Sequence, residues 1–170
     1  MNHVSERGVE GLTIAAIAAR AGVAETSVYR RWKSPPELIA AAVSDMAETG
    51  NPAPDSGSLP GDLEQLAQQI AENLALPGIA RLLGAAVAMS ADAEVAVNRD
   101  RFWEIRFELS SVVIDRGIER GELPAGVNAH DIIETLVAPL YFRVLVTNRP
   151  VDSSFIRTIV GHVLALYGCN

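Results

Sequence analysis

Helical periodicity, interrupted at intervals by glycine or proline, is the feature that most constrains the fold of this chain. Apolar residues recur every three or four positions between Leu12 and Tyr167, and no segment alternates apolar and polar side chains as a half-buried strand does. The chain has 25 alanines, 21 of them before residue 97, and only 5% aromatic residues, which favours helix over strand. The sequence therefore predicts an all-α protein.

The breakers divide the chain into helices and two domains. Thr13 is expected to cap the first helix, and Gly22 to end it with a positive φ. Residues 50–61 contain three prolines and three glycines without periodicity, which predicts a loop between a domain over residues 1–48 and a larger one over residues 49–170. The predicted helices cover residues 14–21, 25–32, 35–48, 62–76, 79–90, 93–120, 128 or 129–147, and 152–167.

Cysteine usage and apolar runs indicate the compartment. Cys169 has no partner for a disulfide, and the N-terminal residues lack the pattern of a signal peptide. The longest apolar run, residues 82–89, is too short to cross a membrane. We expect a cytoplasmic protein that uses neither a membrane nor a cofactor.

The charge of the chain is unevenly distributed. A formal charge of −7 alone argues against a nucleic-acid partner, because affinity for phosphates comes largely from lysine and arginine. Residues 49–170 carry nine basic and fifteen acidic groups, whereas Arg20, Arg30, Arg31 and Lys33 are opposed only by Glu25 within residues 20–33. A local charge of +3 therefore coincides with the second predicted helix.

Two short helices joined by a glycine turn are the sequence form of a helix-turn-helix. In that motif the second helix enters the major groove of DNA and the first crosses the backbone. Helical hairpins with a glycine turn also occur in proteins that never bind DNA. The spacing alone leaves both interpretations open.

A specific resemblance favours DNA binding. The run LTIAAIAARAGVAETSVYRRWKS over residues 12–34, followed by Glu37-Leu38, resembles the DNA-binding segment of the TetR family of bacterial repressors. The resemblance implies a small N-terminal helical domain that binds an operator as part of a homodimer. It also implies a larger helical domain that binds a small-molecule effector and forms the dimer interface.

The same resemblance assigns DNA contacts. Thr13 and Tyr29 match positions that hydrogen-bond phosphates and fix the register. The start of the recognition helix, whose side chains reach base edges, corresponds to Glu25, Thr26 and Ser27. Contacts with phosphate or guanine are expected from Arg30, Arg31 and Lys33.

Structural alternatives accompany these assignments. Val28 and Trp32 are expected in the core of the small domain rather than on DNA. Tyr29 can instead cover that core, and Arg20 can pair with an acid on its own surface.

The chain departs from the family pattern in two places. Ser34-Pro35-Pro36 replaces the usual Ser-Lys-Glu, so the lysine that reaches a phosphate is missing, and Lys33 is expected to substitute for it. Only residues 2–7 correspond to the first helix of the family, which is expected to be truncated.

The C-terminal half resembles a domain type frequent among TetR-like regulators of actinobacteria, through residues 121–124 and the helix around residues 132–145. This implies that the last two helices pair with their copies in a four-helix bundle. The interface residues expected are Ile133, Leu136, Leu140, Ile159, Val163 and Tyr167, with packing inside one chain as the alternative. An effector pocket between helices is expected to use Met89, Trp103, Arg106, Phe107, Ser110 and Tyr141.

These features predict a ligand-responsive repressor that a small molecule releases from a palindromic operator. The alternative is a helical ligand-binding or interaction module with a degenerate DNA-binding head. Enzyme and metal functions are not expected, because the histidines are far apart in sequence and there is no Glu-x-x-His pair or phosphate-binding glycine loop.

Overall fold

The computed structural model describes residues 13–48, 52–76, 78–89 and 91–168, and every regular element within them is helical. This confirms the all-α prediction. In chain order the elements are α1 (Ile14–Ala21), α2 (Glu25–Arg31), α3 (Pro35–Glu48), α4 (Leu59–Ala75), α5 (Ile79–Ala88), α6 (Ala93–Glu119), α7 (Ala129–Tyr141), a π-helical segment (Phe142–Val146) and α8 (Ser153–Tyr167).

Polar caps start several helices where the sequence predicts them. The Thr13 hydroxyl accepts the Ala16 N–H at 3.1 Å, and Asp92 accepts the Val95 N–H at 3.3 Å at the start of α6. Asn128 caps α7 by accepting the His130 N–H at 2.9 Å. Because the first amides of a helix have no partner within it, these side chains fix where each helix begins.

Helix α4 begins at Leu59, three residues before the predicted start at Asp62. The Ser58 hydroxyl accepts the Gly61 N–H at 3.3 Å, and Pro60 occupies the first turn, where its missing N–H costs nothing. The prediction was wrong here because proline and glycine inside a first turn look like loop residues in a sequence.

A buried polar cluster holds the start of α4, and the sequence gives no sign of it. Asp62 is fully buried, accepts the backbone N–H and the hydroxyl of Ser56 at 2.6 and 2.7 Å, and pairs with Arg120 at 3.0 Å. Glu122 accepts from Arg120 at 3.0 Å and from the Leu59 N–H at 2.7 Å. Burial raises the pKa of the Asp62 carboxyl, but the hydrogen bonds from Ser56 and the pairing with Arg120 outweigh it and hold that pKa below its usual range.

The helix predicted to run to residue 147 changes geometry at Tyr141. Pro139 lies inside α7, where it removes a backbone donor, and residues 142–146 follow as a wider π-helical turn. The Thr147 N–H closes this turn on the Phe142 carbonyl at 3.1 Å. Asn148 then takes a φ of 49°, which ends the segment.

The chain divides into two compact units. The first contains residues 1–49 and 81–103, and the second residues 50–80 and 104–170. In the second unit α4 packs against α7 and α8, around fully buried side chains such as Leu63, Ile114 and Leu136. The domain boundary expected after residue 48 stays a prediction.

None of the described helices is by itself long and apolar enough to span a membrane. Only α4 and α5 taken as a bent pair reach that length and composition.

Candidate DNA-binding site

The turn between α1 and α2 is set by Gly22. Its φ of 67° lies in the left-handed region, and its N–H donates to the Ala19 carbonyl at 3.3 Å. The N–H of Val23 reaches back to the Ala18 carbonyl at 3.1 Å, which completes a Schellman motif. The chain therefore leaves α1 in a fixed direction and enters α2 three residues later.

A small apolar cluster fixes the orientation of α2 against α1. Ile14, Ala18 and Val28 are buried together, and Trp32 packs against them. This confirms that Val28 and Trp32 belong to the core. Val23, in the turn between the two helices, is 47% exposed.

The remaining side chains of α2 are exposed. Val28 is the buried residue of the helix, and Tyr29 on the next position is 48% exposed. Every residue expected to contact DNA is exposed: Thr13, Glu25, Thr26, Ser27, Tyr29, Arg30, Arg31 and Lys33. Their roles toward DNA stay predictions.

Three basic residues lie in α2 and just after it, at Arg30, Arg31 and Lys33. The ion pairs found among the described residues do not involve Arg30, Arg31 or Lys33. The guanidinium of Arg31 lies 4.8 Å from the centre of the Trp32 ring, so a core side chain helps to orient it. A surface groove of about 490 Å³ runs beside these arginines, lined by Val23, Ser27, Val28, Arg30, Arg31 and Trp32.

The Ser34-Pro35-Pro36 departure leaves the start of α3 intact. Both prolines occupy the first two positions of α3. A backbone N–H at these positions has no acceptor within the helix, so the missing N–H of proline costs no hydrogen bond there. The Ser34 hydroxyl accepts the Glu37 N–H at 3.3 Å, and the Glu37 carboxylate accepts the Lys33 N–H at 2.6 Å. The truncated first helix expected at residues 2–7 lies outside the described residues.

The residues expected in the dimer interface are largely core residues. Five of them have at most 4% of their surface exposed within a single chain: Ile133, Leu136, Leu140, Ile159 and Val163. Tyr167 is half-buried, with its hydroxyl 3.3 Å from that of Thr135. Helices α7 and α8 turn these apolar faces toward the core that they share with α4, and a role of these residues in a dimer interface stays a prediction.

The residues expected in the effector pocket divide between the two units. Met89 and Trp103 belong to the first unit, and the others, Arg106, Phe107, Ser110 and Tyr141, to the second. In the second unit the ring centres of Phe107 and His130 lie 3.5 Å apart. Desolvation raises the pKa of the Tyr141 hydroxyl above its ordinary value, against the lowering effect of Arg106.

Metal ligands do not cluster in the described part of the chain: no group of three or more His, Cys, Asp or Glu side chains there is arranged to hold an ion.

Comparison with known proteins agrees with this geometry. Residues 2–42 match the family described as bacterial regulatory proteins of the tetR family, and residues 53–163 match the tetracyclin repressor-like C-terminal domain. The HTH-type transcriptional regulator AqdR of Rhodococcus erythropolis is 30% identical over 162 residues, which cover 95% of this chain and 78% of AqdR.

Solved structures show the same fold. The TetR family transcription regulator SCO0332 superposes with a TM-score of 0.68 at 23% identity, covering 95% of this chain and 90% of that one. The fatty acid degradation regulator FadR from Bacillus halodurans gives a TM-score of 0.71 at 13% identity, over 95% and 91% of the two chains. The two domain matches span more than half of the sequence, and the matched proteins are described as transcriptional regulators. The chain belongs to the TetR family of HTH-type bacterial transcriptional regulators.

Proposed function

We propose that this regulator is a cytoplasmic, homodimeric repressor that binds a palindromic operator and is released by a small-molecule effector. The observation that carries the proposal is the exposure of α2. One buried side chain, Val28, fixes this helix on α1, while its polar and cationic side chains point to solvent. A helix held in this way presents its first residues to base edges in the major groove.

The start of α1 supports a phosphate contact as well. The Thr13 oxygen accepts the Ala16 N–H, which leaves its own O–H available as a donor toward a phosphate oxygen. Tyr29 is exposed and offers a second hydroxyl. Two neutral donors at α1 and α2 position the helix, and Arg30 and Arg31 supply the charge that attracts the backbone.

The dimer uses the outer faces of α7 and α8, since their inner faces are filled. Gly161, Ala165 and Leu166 lie on the exposed side of α8, and Leu166 is 69% exposed. Small residues at four-residue spacing allow another helix to approach closely. An isologous interface on this face gives a dimer with two copies of α2 related by twofold symmetry. A palindromic operator requires such a pair, one recognition helix for each half-site.

The effector is proposed to bind the second unit beside α6 and α7. Arg106, Phe107, Ser110 and Tyr141 there combine aromatic surface with a cation and two hydroxyls. Binding releases the operator only if the effector prefers one arrangement of the two heads over the other.

Selection of bound duplexes from a random DNA library tests the proposal, at about 150 mM salt, where nonspecific phosphate binding is weakened. We expect enrichment of a palindrome. Combined Arg30→Ala and Arg31→Ala substitutions are expected to weaken binding to that palindrome by more than about fivefold, through loss of two phosphate or base contacts.

The matched control is Arg101→Ala, which removes an exposed arginine of α6 and is expected to leave the affinity within about twofold of wild type. If the wild-type protein enriches no palindrome in the selection, the result would favour the alternative of a ligand-binding or interaction module with a degenerate DNA-binding head. An equal effect of the α2 pair and the control would exclude the proposed contacts.

A further inference from the structure

The sequence contains a single lysine, and it lies in the candidate DNA-binding site. Thirteen of the fourteen basic residues are arginine, and the remaining one is Lys33, two positions after the last residue of α2. An arginine side chain keeps its proton in proteins, whereas the amine of a lysine can lose its proton and is a target of acylation. Acylation of side-chain amines therefore changes the charge of this sequence at one position.

The backbone of Lys33 is held while its side chain is exposed. The Lys33 N–H donates to the Glu37 carboxylate at 2.6 Å, and the Ser34 hydroxyl accepts the Glu37 N–H at 3.3 Å. The acid nearest to Lys33 in the sequence is thus engaged by the main chain, as part of the cap of α3. In the described part of the chain, no ion pair uses the ammonium group of Lys33.

Two exposed arginines precede Lys33 and attract anions to this end of α2. Arg30 and Arg31 are absent from the ion pairs of the described residues, and together with Trp32 they line the groove of about 490 Å³ beside the helix. A guanidinium fork binds phosphate oxygens through two parallel hydrogen bonds. A small reagent that carries a phosphate is therefore concentrated beside the amine of Lys33.

We propose that Lys33 is a modification site, that an acyl phosphate acylates it, and that the modification weakens binding to the operator. The ammonium group first loses one proton to water, and the neutral amine then attacks the acyl carbon. An N–C bond forms as the C–O bond to phosphate breaks, and the second proton leaves with inorganic phosphate. Arg30 and Arg31 hold the phosphate of the reagent during this step, and the product is a neutral amide.

The charge around α2 explains how one acyl group acts on DNA binding. Within residues 20–33 four basic groups are opposed by one acid, in a sequence with a formal charge of −7. Acylation removes one of these positive charges and the cation expected to contact a phosphate. Because a phosphate contact carries no sequence information, binding weakens on any duplex while the preferred sequence stays the same. This inference rests on the proposed operator contact of Lys33 and adds a way to regulate it.

Incubation of the full chain with acetyl phosphate, followed by peptide mass mapping, tests the modification itself. We expect Lys33 to be the acetylated side chain. Combined Arg30→Ala and Arg31→Ala substitutions are expected to slow its acetylation by about threefold or more, because the reagent is no longer held beside the amine. Arg101→Ala removes an exposed arginine of α6 and is the matched control, expected to leave the rate unchanged.

Duplex binding before and after acetylation tests the consequence, on the selected palindrome and on a duplex of random sequence. Treated wild type is expected to bind about fivefold more weakly than untreated protein, with a slope of log K against log salt that is smaller by about 1 for each modified subunit. Lys33→Arg has no ε-amine to acetylate but keeps the α-amino group and every hydroxyl. Its treated and untreated samples are expected to bind equally to each other.

The two proposals fail in different ways. A Lys33 that stays unmodified, or equal losses of affinity on treatment of wild type and Lys33→Arg, would overturn the modification proposal and leave the operator proposal intact. Acetylated Lys33 that binds both duplexes as tightly as the free amine would overturn the modification proposal together with the phosphate contact of Lys33. A wild-type chain that enriches no palindrome would overturn the proposed operator, while the random-sequence duplex still decides whether acetylation weakens binding.

Discussion

Replacing Asp62 by asparagine tests whether the buried cluster at the start of α4 stabilises the fold. The carboxylate has no solvent exposure and accepts three hydrogen bonds, two from Ser56 and one from Arg120. Asparagine keeps the size and one acceptor oxygen, but its amide group turns a second donor toward the guanidinium of Arg120. The substitution therefore removes the charge with little change of volume.

The expected loss in the free energy of unfolding follows from the number and kind of hydrogen bonds that Asp62→Asn changes. The bond to Arg120 is lost, which costs about 1.5–3 kcal/mol for a charged pair, and the two bonds from Ser56 weaken because their acceptor becomes neutral. Arg120 keeps its bond to Glu122 and is 26% exposed, which lowers the cost of leaving it without Asp62. We expect the free energy of unfolding to fall by about 2–3 kcal/mol and Tm by about 4–12 °C.

Urea and thermal denaturation followed by far-UV circular dichroism measure this loss. Asp55→Asn is the matched control, because Asp55 faces Arg116 at 3.6 Å with a side chain that is 63% exposed. An exposed ion pair of this kind contributes about 0–1 kcal/mol to the free energy of unfolding. Two outcomes would refute the stabilising role of the buried cluster: equal decreases in the free energy of unfolding for the two variants, or a decrease below about 0.5 kcal/mol for Asp62→Asn.

The stability that the Asp62 carboxylate contributes depends on pH with a defined sign. The folded-state pKa of Asp62 is lowered, so the stabilisation is fully present above the unfolded pKa of about 3.9 and is lost as the pH falls through the folded value. The difference in stability between wild type and Asp62→Asn is therefore expected to be constant near neutral pH and to shrink below about pH 4. A difference that grew on acidification would contradict the assignment.

Three further substitutions test the turns and caps by denaturation. Gly22→Ala is expected to destabilise the protein by about 1–2 kcal/mol, because Gly22 holds a φ of 67° that alanine adopts only with strain. Gly84→Ala in the exposed middle of α5 is expected to stabilise the protein by about 0.5–1 kcal/mol, because alanine loses less backbone entropy there. Effects of the same sign on the free energy of unfolding would refute the backbone argument. Ser58→Ala is expected to cost about 1 kcal/mol through loss of the N-cap of α4. No change there would mean that Pro60 alone sets the helix start.

The elements that the sequence predicted well are those set by neighbouring residues. Thr13 and Gly22 mark the two ends of α1 because capping and left-handed backbone are decided within four residues. The membership of Val28 and Trp32 in the small core could also be predicted, since their spacing puts them on one face of a short helix.

The features that the sequence did not predict depend on contacts between distant residues. Asp62 and Arg120 are 58 positions apart, and nothing near either residue indicates that they pair. The apolar residues of α7 and α8 illustrate the same limit, because an apolar stripe suits a partner subunit as well as the core of its own chain. Only the packing against α4 shows that Leu136 and Val163 are already covered.

For this protein the sequence by itself determined the helical class and the pair of short helices with a basic second helix, because these follow from periodicity, capping and a glycine turn over short distances; the family resemblance over residues 12–34 identified that pair as a helix-turn-helix. The tertiary structure alone decided which apolar faces are buried and how Asp62 and Arg120 hold the start of α4. Burial and ion pairing depend on which helices pack together, and that choice is made by the whole chain rather than by any local segment.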